Sequence, residues 1–156
     1  MRKLISILLF IPISLFGQSD NFFEVPDSNF LSYLQSNYPQ IIVENSIDIT
    51  AASDFPIYWF EIYNYNSIEN LSGIEHLNIT NGIYIYNTSI TNLNLSSLDI
   101  YSLELNENDN LQNISFPENL SYLNLYYNDS LNLEDISFPE NLTDLTLYGS
   151  QGSYLD

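Results

Sequence analysis

The amino-acid sequence predicts an α/β-type solenoid. Successive coils of one chain would carry a parallel β-sheet along a concave face, a mostly irregular convex side and a short helical cap at the N-terminal end. Three observations carry this expectation. The string ISFPENL occurs at 114–120 and again, letter for letter, at 136–142. Around it runs a recurring frame, Ile100-x-x-Leu103-x-Leu105-x-x-Asn108-x-x-Leu111, then Leu120-x-x-Leu123-x-Leu125-x-x-Asn128-x-x-Leu131, then Leu142-x-x-Leu145-x-Leu147-x-x-Ser150. The spacing is 20 residues from Leu103 to Leu123 and 22 from Leu123 to Leu145. Such a period marks units that cannot bury their apolar face alone and must stack to do so.

In chain order, the first element is a targeting segment. Arg2 and Lys3 precede the apolar run Leu4–Phe16, which is broken by Pro12. The run falls short of the roughly 20 residues a membrane-spanning helix needs. With Gly17 ahead of Gln18, it reads as a secretory signal peptide over residues 1–17. Its removal would leave all 20 Asp and Glu, a single His and no Lys or Arg. Phosphate backbones and anionic lipid surfaces repel such a chain, so nucleic-acid binding and membrane insertion after cleavage are excluded. A high net charge also keeps a secreted protein soluble. There is no cysteine, hence no disulfide and no lipid attachment through Cys. Charged residues make up 14% of the chain while 45% is apolar, which separates it from a disordered acidic tail.

Residues 18–58 lack the repeat and form the expected cap over the first coil. VPDSNFLSYLQSNYP reads as a helix with Asp27 at the N-cap, a stripe of Phe30, Leu31 and Leu34, and Pro39 after its end. Ile47-x-Ile49 is expected to add a first strand.

Residues 59–156 hold about four coils, the last incomplete. In Leu-x-Leu, alternate side chains share a face, so Leu103 and Leu105 enter the core while Ser102, Glu104 and Asn106 point out. Stacking at roughly 4.8 Å puts Leu103 on Leu123 on Leu145. Asn108 and Asn128 stand where the chain leaves the strand, and their amides can satisfy backbone groups unpaired at the bend. Ser150 in that place predicts a looser turn. Pro117 and Pro139 suit the convex side, where no ladder needs their N–H. Ile114 and Phe116 should stack on Ile136 and Phe138. Earlier, partial copies are Ile83-x-Ile85-x-Asn87, one residue short before its Asn, and Ile57-x-x-Phe60-x-Ile62. At the other end the chain stops at Asp156 without an amphipathic segment. Truncation is the favoured explanation, and cover by a second molecule the alternative.

These frames resemble the leucine-rich repeat family, in its secreted bacterial, internalin-like short-repeat form. The likeness rests on the Leu-x-x-Leu-x-Leu-x-x-Asn phrase and on Pro-Glu-Asn-Leu at 117–120 and 139–142. It implies a right-handed coil and a concave face that binds protein partners. Pro26-Asp27-x-x-Phe30 resembles the opening of the N-terminal caps of such proteins. Many of them continue into a calcium-loop-like stretch. Here NYPQIIVENSIDI has no Gly and no Asp-x-Asp-x-Asp-Gly spacing, so that role is not carried over.

No catalytic constellation emerges. His76 has no second His, no Cys and no G-x-S-x-G motif to work with, so no enzyme activity and no cofactor are expected. Binding is expected instead, through outward columns of the sheet. One runs Tyr86, Asn106, Tyr126, Tyr148; a second Tyr84, Glu104, Asn124, Thr146; a third Ser102, Tyr122, Asp144. Tyr63 and Tyr65 are candidates to extend them. Tyrosine is rigid, wide and amphipathic, which suits interfaces. The partner-binding candidates are therefore Tyr84, Tyr86, Glu104, Asn106, Tyr122, Asn124, Tyr126 and Tyr148. A protein partner is the leading reading, and a cell-surface glycan or matrix contact the alternative. A non-functional fragment of a larger secreted protein is the remaining one. Calcium between Asp109 and Asp129, or Glu118 and Glu140, would convert stacked repulsion into bridging; splayed, solvated side chains are the simpler reading. Asn-x-Ser/Thr at Asn70, Asn78, Asn94, Asn113, Asn119 and Asn141 reflects composition rather than glycosylation.

Overall fold

A computed structural model describes residues 21–149. The expected signal peptide over 1–17 and the turn residue Ser150 lie outside the described residues. The N-terminal segment holds β1 (Phe22–Glu24), helix α1 (Ser28–Asn37), β2 (Ile42–Val43), β3 (Ser46–Asp48) and helix α2 (Ile49–Ser53). The three strands pair antiparallel in the order β1-β3-β2. Sequence reasoning put a first strand at Ile47-x-Ile49, and the structure corrects it. Ile47 is in a strand, but one antiparallel to its neighbours, and Ile49 opens α2. The reason is Asp48, whose carboxylate accepts from the Ala51 N–H at 3.0 Å and so caps a helix where the strand stops.

Helix α1 forms as its sequence demands. One Asp27 carboxylate oxygen accepts from the N–H of Asn29 (2.8 Å) and Phe30 (2.9 Å). The other reaches 42 residues along the chain to the N–H of Glu69 (2.8 Å), and it also takes that of Asn70 (2.9 Å). A single cap thus fixes the helix and ties it to the first coil. Phe30, Leu31 and Leu34 are buried, and so is Tyr33, which the apolar stripe omitted. Phe30, Tyr33 and Tyr38 surround the Phe60 ring at centroid distances of 6.4, 5.8 and 5.7 Å.

The rest of the chain is a parallel-strand solenoid of about four turns. Its strands are β4 (Ile57–Tyr63), β5 (Ile79–Tyr86), β6 (Asn92–Asn94), β7 (Ser102–Asn106), β8 (Asn113–Ser115), β9 (Tyr122–Tyr126) and β10 (Asp144–Tyr148). Five of them, β4, β5, β7, β9 and β10, make one parallel sheet in chain order. The other two pair as a short parallel ladder on the far side of the coils, which the expectation of an irregular side did not include. Register gives two inward rows, Phe60–Ile83–Leu103–Leu123–Leu145 and Ile62–Ile85–Leu105–Leu125–Leu147. Every member up to Leu123 and Leu125 is fully buried, while Leu145, on the last described strand, is 44% exposed. Burial of one such side chain is worth about 1.5–3 kcal/mol. The repeated heptapeptide packs as expected at Phe116 and Phe138, whose rings stack at 6.0 Å and 16°.

Each sheet strand ends on a residue in the left-handed region. Asn64, Asn87, Glu107 and Tyr127 have φ of 51–58°, and Gly149 has φ 73°. Beneath them runs a column of buried polar groups. Asn128 Nδ2 donates to the carbonyls of Leu105 (2.8 Å) and Tyr126 (3.2 Å), and its Oδ1 accepts from Asn108 N–H (3.1 Å). Asn108 Nδ2 donates to Ile85 and Asn106 carbonyls (3.1 Å each), and its Oδ1 accepts from the N–H and hydroxyl of Thr88 (3.1 and 2.7 Å). The position above Asn108 in this column is therefore Thr88, not Asn87. Counting 20 back from Asn108 reaches Thr88; Asn87 falls one place early and takes the left-handed bend instead.

Two predictions follow from these contacts. Asn128→Ala would remove the Nδ2 donor to the Leu105 and Tyr126 carbonyls and the Oδ1 acceptor of the buried Asn108 N–H, at a cost of roughly 3 kcal/mol in urea unfolding, while exposed Asp129→Ala should stay within about 0.5 kcal/mol. Equal losses would remove the column from the account. For Asp27, partial burial raises the pKa, but the N–H groups of Phe30, Glu69, Asn70 and Asn29 together outweigh it and hold the carboxyl below its ordinary 3.8. The folded-state pKa is depressed, so the stabilisation is complete above the ordinary carboxylate range and is lost as pH falls through the depressed value. Asp27→Asn should flatten that acid limb of the stability–pH curve, and an unaltered limb would show that Asp27 does not contribute to it.

Candidate functional site

The sheet face opposite the aliphatic rows is where the outward candidates come together. Register sets Tyr63–Tyr86–Asn106–Tyr126–Tyr148 in one row, Glu61–Tyr84–Glu104–Asn124–Thr146 in the next and Trp59–Gly82–Ser102–Tyr122–Asp144 in a third. The eight singled-out residues, Tyr84, Tyr86, Glu104, Asn106, Tyr122, Asn124, Tyr126 and Tyr148, all stand in these rows. Tyr63 extends the first row. Tyr65 does not; it lies past the Asn64 bend, with its ring edge-on to Tyr33 at 5.1 Å. Sequence reasoning missed Trp59 and Glu61. The signal was present, because Phe60 and Ile62 point inward and so turn their neighbours out. It was obscured by a register shift between Ile57 and Trp59 that breaks the alternation of β4.

Aromatic rings cover much of this face. Tyr63 and Tyr84 stack at 4.6 Å and 25°, and Tyr63 also meets Tyr86 at 6.4 Å. Tyr148 lies between Tyr126 (5.7 Å) and Tyr127 (5.2 Å, edge-on). Asn106 separates the two groups, and its Nδ2 donates to the Tyr84 hydroxyl at 3.1 Å. The Oδ1 atoms of Asn106 and Asn124 are buried without a hydrogen-bond partner among the described residues.

Two phenols of this face, Tyr63 and Tyr86, have raised pKa values. The Tyr63 pKa is raised by burial first, then by the charges of Glu61 and, beyond Tyr84, Glu104. Tyr86 is raised chiefly by its interaction with the Glu107 carboxylate. No Lys or Arg stands anywhere in residues 21–149 to offset the carboxylates.

Other candidates sit elsewhere. His76 ends the 3₁₀ turn Ile74–His76, with its ring 4.7 Å from Phe23 and its Nε2 3.9 Å from Glu75. Among the described residues, no group of three or more His, Asp or Glu converges on one point, and Asp109 and Asp129 are exposed. The sequence also holds Asn-x-Ser at Asn87 and Asn128; the other six Asn-x-Ser/Thr asparagines are likewise engaged in the fold. Asn70 and Asn94 each accept from the N–H and hydroxyl of the Ser two residues on. Asn78, Asn113, Asn119 and Asn141 donate through Nδ2 to an adjacent segment. Asn70 and Asn94 line a cleft of about 460 Å³, with Glu69, Ser72, Glu75, Asn92 and the apolar Leu71, Ile74 and Leu93.

The chain matches no protein-family model, no curated protein and no solved structure.

Gly82 keeps the third row open beneath the chain's single Trp. A Cβ there would meet Trp59 Cζ3 at 2.6 Å, Cη2 at 2.8 Å and the Ser102 carbonyl at 2.9 Å. Gly82→Ala should displace the indole, shift its fluorescence and cost about 1–3 kcal/mol. Unchanged emission and an unchanged unfolding midpoint would show that Trp59 does not lie on Gly82.

Proposed function

We propose that the chain is a secreted or cell-surface leucine-rich repeat module. In this reading it binds a protein partner through the tyrosine-rich face of its parallel sheet and has no catalytic role. That face is the concave one, the coil is right-handed, and α1 with the antiparallel strands caps the first coil. The carrying observation is the set of three outward rows. They place Trp59, Tyr63, Tyr84, Tyr86, Tyr122, Tyr126 and Tyr148 on one face, with half-buried Asn and Glu between them. Rigid aromatic area with adaptable polar groups between is the composition of a protein-binding surface, because little side-chain freedom is lost on contact. Capping is supported by Phe30, Tyr33 and Tyr38 around Phe60, and by the Asp27 link to Glu69 and Asn70. Secretion rests on the leader expected over 1–17 and on a chain that, beyond it, has no basic residue except His76.

The test uses the full chain and a Tyr86→Ala/Tyr126→Ala variant in affinity capture from the extracellular fraction of its source, with a glycan array alongside. The reading predicts a captured protein whose affinity falls at least 100-fold in the variant, at an unchanged melting temperature. Capture that survives both substitutions, or binding confined to the glycan array, would overturn it.

A further inference from the structure

We propose that the face carries a built seat for a guanidinium group, formed by the Tyr63–Tyr84 ring stack between the Glu61 and Glu104 carboxylates, and that the partner is a basic polypeptide presenting arginine there. The inference rests on the protein-binding reading above and adds the chemistry of what is bound.

Geometry comes first. Glu61, Tyr84 and Glu104 are register neighbours on β4, β5 and β7. The two carboxylates therefore flank Tyr84 from either side, about 10 Å apart at the backbone. The Tyr63 ring lies against that of Tyr84 at 4.6 Å and 25°, presenting an aromatic platform between the two charges. Tyr63 is 48% exposed and Glu61 is exposed, so the platform and one flank face solvent. The Asn106 amide, 3.1 Å from the Tyr84 hydroxyl, holds the platform in place.

Charge then selects the occupant. Ordinarily, two carboxylates beside an aromatic pair would be neutralised by a Lys or Arg of the same protein. Here residues 21–149 supply neither, and the ion pair found among them is His76 with Glu75, away from this face. Hydrogen bonding points the same way, because the Glu61 and Glu104 carboxylates only accept and residues 21–149 place no Lys or Arg beside them. Two carboxylates with no basic neighbour are completed by a group that donates and carries positive charge. Arginine is that group: its guanidinium carries five N–H donors, stacks flat on aromatic rings and pairs with carboxylates at its edges. A lysine ammonium would gain the charge and a cation–π contact but could not bridge both flanks while stacked.

The long-range field of a chain with net charge −18 attracts any cation, so the test must separate a seat from a field. Titrating the full chain with the peptide Gly-Arg-Gly-Arg-Gly amide, followed by Trp59 fluorescence and calorimetry, makes that separation. Binding is expected to be at least 5-fold tighter than for the Lys counterpart. Glu61→Gln/Glu104→Gln should weaken it at least 10-fold, Tyr84→Leu at least 5-fold, and the charge-matched control Glu118→Gln/Glu140→Gln less than 2-fold. Equal losses in the two glutamate pairs, no preference for Arg over Lys, or no binding at all would each overturn the seat. None of these outcomes bears on capture through Tyr86 and Tyr126, which is measured without the peptide. A loss of capture sensitivity there would instead overturn the underlying reading.

Discussion

Past the first coil, which packs on Phe30, Tyr33 and Tyr38, each coil of this chain buries its aliphatic side chains against the neighbouring coils, and that constraint sets the rest of the structure. The rows headed by Phe60 and Ile62 are continuous because, from Trp59 onward, each strand of the sheet keeps register with its neighbour. Register in a strand is unforgiving, since a slip of one residue would exchange the buried row for the outward one. Keeping it over strands separated by 20 to 23 residues requires that the chain leave each strand the same way. The left-handed residue after every sheet strand does this, and for Glu107 and Tyr127 it does so against a cost of about 1–2 kcal/mol each. The buried column of Thr88, Asn108 and Asn128 is what offsets that cost, by satisfying backbone groups that the bend strands beneath the sheet.

The same constraint explains the face that remains. A side chain not used in stacking is free to serve something else, and here those positions are chiefly Tyr, Asn and Glu, with no Lys or Arg among them. Parallel strands about 4.8 Å apart bring such side chains into ring contact along a row, as Tyr63 with Tyr86 and Tyr126 with Tyr148, and between rows, as Tyr63 with Tyr84. Rigid order in the core is thereby passed to the surface. A partner would meet a pre-arranged platform, which lowers the entropy lost on association.

The coil positions from Ile83 to Leu147 were legible in the sequence because a period-2 alternation nested in a 20-residue repeat has one packing solution. The Asp27 cap was legible for a local reason, the chemistry of a helix N-terminus. Its second task, holding Glu69 and Asn70, was not, since a contact 42 residues away leaves no local trace. Ile49 was misjudged because an alternating apolar pair looks the same before and after a helix cap. Asn87 was misjudged because its residue type matched the repeat while its position did not; Thr88 holds that position and donates its N–H and hydroxyl to Asn108 Oδ1. Trp59 and Glu61 were missed where a register shift interrupts the alternation on which the outward rows were counted. The rows themselves followed from periodicity, whereas ring stacking within them depended on side-chain angles that no spacing encodes.

The most direct test of the stacked-coil account is methyl NOE spectroscopy on selectively labelled leucine. The account predicts cross-peaks between Leu103 and Leu123 and between Leu123 and Leu145, with none between Leu103 and Leu145, whose backbones stand about 10 Å apart. A direct Leu103–Leu145 contact, or silence between Leu103 and Leu123, would contradict it.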